Sequence, residues 1–151
     1  MARAWQLTSL NRTTTNEREK VSVEHRRLED TEFRLGEFGP GYVIRGPRTD
    51  LGLVRLRPGD DASNHFHAAI EETFVVLEGH ATLWVDGRRN FALSVGDVYQ
   101  MQPGEQHYFV NEGDVEFRAL FVKAPFDPED GVQVPWRPGE PVPRLASELV
   151  P

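Results

Sequence analysis

Between residues 41 and 124 the chain alternates short apolar runs with turn-forming residues, and no stretch of helical period interrupts the series. Residues 41–45, 51–56, 73–77, 81–85, 97–101, 107–110 and 115–122 read as strands. The punctuation between them is specific: Arg57-Pro58-Gly59-Asp60, Leu77-Glu78-Gly79-His80, Asp86-Gly87, Gln102-Pro103-Gly104 and Glu112-Gly113-Asp114 all carry turn chemistry. Asp86-Gly87 between apolar runs is a hairpin signal, because both residues tolerate the positive φ of a tight primed turn. Without helices between the strands, a βαβ fold is excluded. The pattern predicts an all-β sandwich or barrel, with a jelly roll among the candidates.

The flanks have a different texture. Residues 1–35 are polar and charged with weak periodicity and form an N-terminal arm, in which Asn16 to Glu29 is open to either a short helix or an extended segment. Residues 36–124 make the barrel, and 125–151 a Pro-rich extension. Seven of the eleven prolines fall in that last stretch of 27 residues. Proline has no ladder donor, so the extension cannot supply a central strand. Val132, Val134 and Trp136 alternate there and can lie against the barrel or a partner subunit.

Charge and composition remove several functions. A net charge of -7 with no basic stripe argues against a nucleic-acid partner. The absence of cysteine excludes disulfides, thiolate nucleophiles and zinc fingers. No stretch approaches the ~18 apolar residues of a spanning helix, and residues 1–16 lack the apolar core of a signal peptide, so no membrane partner is expected and a cytoplasmic location is.

The chemistry concentrates in two clusters. The first runs Gly59-Asp-Asp-Ala-Ser-Asn-His65-Phe-His67-Ala-Ala-Ile-Glu-Glu72, continuing to Gly79. Histidines at i and i+2 of an extended segment point to one face, so both imidazoles can reach one ion, and a nearby carboxylate can add an oxygen. The second runs Gly96 to Asn111 and contains Pro103, Gly104 and His107.

At these residues the chain resembles the cupin superfamily. Its first motif is filled by Gly59, His65, His67, Glu72 and Gly79. Its second is filled by Gly96, Gly104, His107 and Asn111, with Gln102 where the family has proline and Pro103 immediately after it. The resemblance covers about residues 41–122. It implies a double-stranded β-helix, the jelly-roll cupin barrel, holding one divalent transition metal on His65, His67, Glu72 and His107. The register to Gly79 selects Glu72 over Glu71, which then faces the other way. Three imidazoles and one carboxylate suit Fe(II), Mn(II), Ni(II), Co(II) or Zn(II), with Fe(II) favoured, over Ca(II) or Mg(II).

Alternation places Phe74 and Val76 inside with Glu72, and Phe109 inside with His107. Tyr99 is the candidate acid or base, and Arg55 the candidate clamp for an acidic substrate. Arg45, Tyr42 and Gln102 stand as comparable candidates, and His25 and His80 are read as exposed. The resemblance implies a metal-dependent enzyme acting on a small polar molecule, in the first place an Fe(II) dioxygenase. A non-catalytic module binding a sugar or organic acid, and a Mn- or Zn-dependent isomerase or lyase, are the alternatives. Outward apolar residues such as Tyr108 and Val110, with the terminal arms, predict a homodimer.

Overall fold

The computed structural model describes residues 23–149. Among the described residues, ten strands build two five-stranded antiparallel sheets. The strands are β1 (Gly39–Arg45), β2 (Asp50–Leu56), β3 (Asp61–Phe66), β4 (Glu71–Glu78), β5 (Ala81–Val85), β6 (Arg89–Leu93), β7 (Val98–Met101), β8 (His107–Val110), β9 (Phe117–Ala124) and β10 (Val132–Gln133). One sheet has the order β1-β2-β9-β4-β7 and the other β10-β3-β8-β5-β6. This is the expected all-β double-stranded β-helix.

Alternation along the strands explains the core. On β9, Phe117, Ala119 and Phe121 point inward while Arg118, Leu120 and Val122 stay partly exposed. They meet Val54 and Leu56 of β2, Phe74 and Val76 of β4, and Leu83, Val85 and Phe109 from the facing sheet. Interdigitation of the two inner faces buries Leu56, Leu83 and Phe117 completely.

The turns follow their residues. Asp86 and Gly87 adopt φ of 53° and 62°, and Arg88 N–H closes on the Val85 carbonyl at 3.0 Å, the type I′ turn that joins β5 to β6. Pro103 and Gly104 (φ 86°) occupy the middle of a type II turn closed by Glu105 N–H on the Gln102 carbonyl at 3.0 Å. The turn therefore forms although the motif's proline is displaced by one position.

Three strands escaped the sequence reading. β3 was read only as extended chain, since its polar Asp61-Ala-Ser-Asn carries no apolar alternation. β6 (Arg-Asn-Phe-Ala-Leu) buries only Leu93, so its pattern is that of an edge. β10 is a two-residue edge strand on β3, where proline neighbours are tolerated. Within the 16–29 segment, Leu28–Asp30 form a single 3-10 turn, and the part before Val23 lies outside the described residues.

The face carrying Tyr108 is covered by the chain itself. Val134 and Trp136 are buried, and the Trp136 ring meets Tyr108 edge-on at 6.0 Å and Trp84 at 5.8 Å. Tyr108 is only 4% exposed. Tyr108, one of the residues expected to face a partner, is thus covered by the C-terminal extension, while Val110 stays partly exposed.

Candidate metal centre

The four expected ligands come together from three strands and a loop. His65 lies at the end of β3 directly opposite His107 on β8, His67 follows β3 by one residue, and Glu72 stands near the start of β4. One donor atom from each falls within 4.8 Å of the others. His67, Glu72 and His107 are buried. Glu71 points to the other side, where Gln100 Nε2 approaches it at 3.5 Å.

Each imidazole is held by its outer nitrogen. His65 Nδ1 meets the Ser63 carbonyl at 2.8 Å, His107 Nδ1 the Glu105 carbonyl at 3.1 Å, and His67 Nδ1 the Asp130 carbonyl. A carbonyl can only accept, so all three Nδ1 atoms carry hydrogen and the Nε2 lone pairs converge on the centre. There, Glu72 Oε2 lies 3.2 Å from His67 Nε2 and 3.1 Å from His107 Nε2. Lone pairs facing a carboxylate at that distance require a cation between them.

Without a metal that cation is a proton. Burial works against charge on His67, but the hydrogen bond and charge of Glu72 overcome it and raise the imidazole above its ordinary range. Burial likewise opposes charge on Glu72, yet His107 and His67 hold the carboxyl well below the usual carboxylate range. His65 is different: burial and the neighbouring His107 push it down to about 3. It stays a neutral donor at any physiological pH.

A divalent ion satisfies all four groups at once. Ligands bound at ~2.1 Å sit ~3 Å apart when adjacent, which the Glu72–imidazole separations match. The donor set is of intermediate softness, suited to Fe(II), Mn(II), Ni(II), Co(II) or Zn(II).

The centre opens into a cavity of about 460 Å³. Phe74, Phe109, Phe121 and Val54 form its apolar floor, and Tyr42, Arg34 and Lys123 its polar wall. Lys123 continues the inward alternation of Phe117, Ala119 and Phe121 on β9 and is 8% exposed. Its ammonium donates to the Tyr42 hydroxyl at 2.9 Å.

Arg55 and Tyr99 are placed elsewhere. β2 turns Val54 and Leu56 into the core, so Arg55 points away and pairs with Glu116 at 2.7 Å. Tyr99 packs against Phe91 with ring centroids 5.8 Å apart, and its hydroxyl lies 3.5 Å from the Ala92 carbonyl. It thereby bridges β7 and β6, the edge strands of the two sheets, and does not line the cavity. Gln102 is exposed and bonded to Gln100, and Arg45 stacks over the Tyr42 ring at 4.3 Å from outside the cavity. His25 and His80 are exposed. Of the polar candidates beyond the ligands, only Tyr42 faces the site, together with the expected inward Phe74 and Phe109. Lys123 was missed because the strand was ended at Val122, although its place two residues after Phe121 was a readable signal.

The family model of the cupin domain matches residues 52–123, a span that includes all four ligands. These residues form a cupin domain. Among curated proteins, the chain is 34% identical over 79 residues to polyketide synthase CurC of Streptomyces cyaneus, covering 52% of this chain and 51% of the relative. It is 27% identical over 78 residues to the tetracenomycin polyketide synthase protein TcmJ of Streptomyces glaucescens, covering 52% of each. The matches thus span about half the length of these relatives. Among solved structures, a double-stranded β-helix protein from Klebsiella pneumoniae aligns with a TM-score of 0.66 at 19% identity, over 77% of this chain and all of that one. A cupin sugar phosphate isomerase from Silicibacter pomeroyi aligns with a TM-score of 0.55 at 26% identity, over 67% and 75% of the two chains.

Proposed function

We propose that this cupin is a metal-dependent enzyme that activates a small, enolisable carbonyl or phenolic compound. The observation that carries the reading is the Lys123–Tyr42 pair, a buried ammonium and a phenol on the wall of the same cavity as the four ligands. His65, His67, Glu72 and His107 would hold the metal, which supplies Lewis-acid polarisation of a substrate oxygen and, if it is iron, a redox centre.

The chain's own groups do the rest. The phenylalanine floor takes the apolar body of the substrate. Lys123 attracts a developing enolate or phenolate oxygen, the Tyr42 hydroxyl beside it can donate a hydrogen bond to the same oxygen, and water in the open cavity takes the proton that leaves carbon. Two curated relatives bear polyketide synthase names, and poly-β-ketone chains are compounds of this kind, which supports the substrate class.

The Fe(II) dioxygenase is the redox form of this reading, and proton transfer leading to cyclisation or isomerisation the non-redox form. A pair that stabilises a developing oxyanion beside the ligands favours the second. A sugar phosphate isomerase calls for a denser cluster of cations than Lys123 and Arg34 provide. The test is to load the protein with Fe(II), Mn(II) or Zn(II) and follow deuterium incorporation into β-diketones by NMR beside O₂ uptake. Deuterium exchange without O₂ consumption is expected. O₂ consumption would make it an oxygenase, and neither signal across the panel would leave a non-catalytic binding module.

A further inference from the structure

The family match ends at residue 123, yet the chain beyond it returns to the metal centre. Asp130 is the point of attachment. Its carboxylate accepts three consecutive backbone N–H groups, from Ala68 at 2.6 Å, Ala69 at 2.8 Å and Ile70 at 2.9 Å. Those residues are the loop between the ligands His67 and Glu72. Converging amides of this kind form an anion-binding nest, and bonds to a carboxylate are charge-assisted. Although partial burial opposes it, the three amides hold the Asp130 carboxyl below its ordinary range.

The same residue uses its backbone on His67. With the carboxylate fixed in the nest, the Asp130 carbonyl is aimed at His67 Nδ1 and accepts its hydrogen. Three residues later Gln133 pairs with His65 on β3, and Val134 N–H bonds the Asn64 carbonyl at 3.0 Å. One segment of the extension therefore touches the elements carrying His65, His67 and Glu72. It also supplies Pro128, Glu129, Asp130, Gly131 and Gln133 to the cavity wall.

We infer that Asp130 is a positioning residue of the metal centre, through which the C-terminal extension sets the tautomer and orientation of His67 and with them the affinity for metal. The inference rests on the metal reading above. Outer partners of ligating histidines change metal affinity by roughly 10- to 100-fold when removed.

The experiment is a chelator-competition titration of Zn(II) and Co(II) into the full chain, on the native protein, Asp130→Ala, Asp130→Asn and Asp97→Ala. Asp97 caps the backbone of Ser94 at 2.8 Å in a turn outside the cavity, so its variant controls for a general loss of stability. Asp130→Ala should bind 10- to 100-fold more weakly, Asp130→Asn should fall between, and Asp97→Ala should match the native protein. The Co(II) absorption bands should shift only in the Asp130 variants. If Asp130→Ala does not fold, Asp130→Asn carries the comparison. Native-like affinity in the Asp130 variants, or an equal loss in Asp97→Ala, would overturn the inference. Failure of the native protein to bind either metal would instead overturn the metal reading, and this inference with it.

Discussion

Lys123 of β9 lies directly across the ladder from Glu72 of β4. Cross-strand partners project to the same face, so an ammonium and a metal-facing carboxylate share one wall of one cavity. In the proposed function the pair divides the labour of the site: Glu72 would hold the ion, and Lys123, bonded to Tyr42, would face the substrate beside it.

That division predicts a separation of phenotypes. Lys123→Met should keep the metal content of the native protein and lose at least ~100-fold in turnover, the scale of a removed oxyanion-stabilising group. Tyr42→Phe should show a smaller loss in the same assay. Elemental analysis run beside kcat/KM measures both, and loss of metal in Lys123→Met would contradict the assignment.

Burial of His65 should cost the metal-free protein stability as pH falls, against the opposite contribution of His67, whose imidazole is raised by Glu72. His65 is held neutral in the fold, with its pKa lowered from 6.5 to about 3, while the unfolded chain protonates near 6.5. Over that window the unfolded state binds more protons, so its share grows as the pH drops, and the decline ends only where folded His65 also protonates. Above pH 6.5 this contribution is fully present. Urea midpoints at pH 7 and pH 5 in the presence of chelator should differ more for the native protein than for His65→Asn, and equal slopes would remove His65 as the cause.

Two substitutions probe the scaffold. Phe109 is 1% exposed between Phe74 and His107, and Phe109→Ala should cost about 3–5 kcal/mol in urea unfolding through the cavity it leaves. Gly79 has φ 70°, and a Cβ there would collide with the Glu116 carbonyl oxygen. Gly79→Ala should therefore destabilise by more than the ~1 kcal/mol typical of an ordinary substitution.

A homodimer remains our proposal, with its basis moved. Tyr108 is covered by Trp136, whereas Phe91, Val95 and Val98 are exposed at the edge strands β6 and β7 and the turn between them. Light scattering coupled to size exclusion should give about twice the 17.2 kDa of one chain, and a monomer mass would contradict it.

The ladder of apolar runs and the spacing of His65, His67, Glu72 and His107 were legible because each depends on local alternation and fixed intervals. Gly79 and Gly104 were legible as turn residues, and both take the positive φ that their positions demand. Asp130 was not. Its role arises from the chain returning over 60 to 62 residues to meet Ala68, Ala69 and Ile70, and nothing local to Asp130 signals it. Arg55 misled because an arginine between Val54 and Leu56 fits an inward or an outward strand face equally well until the core side of β2 is known.

Metal binding at His65, His67, Glu72 and His107 is tested by elemental analysis of the protein purified without chelator or affinity nickel, together with His65→Ala and Glu72→Ala. Near-stoichiometric transition metal is expected in the native protein, with its loss in both variants. A native protein that carries no metal, and takes up none when Fe(II), Mn(II) or Zn(II) is added, would contradict metal binding there.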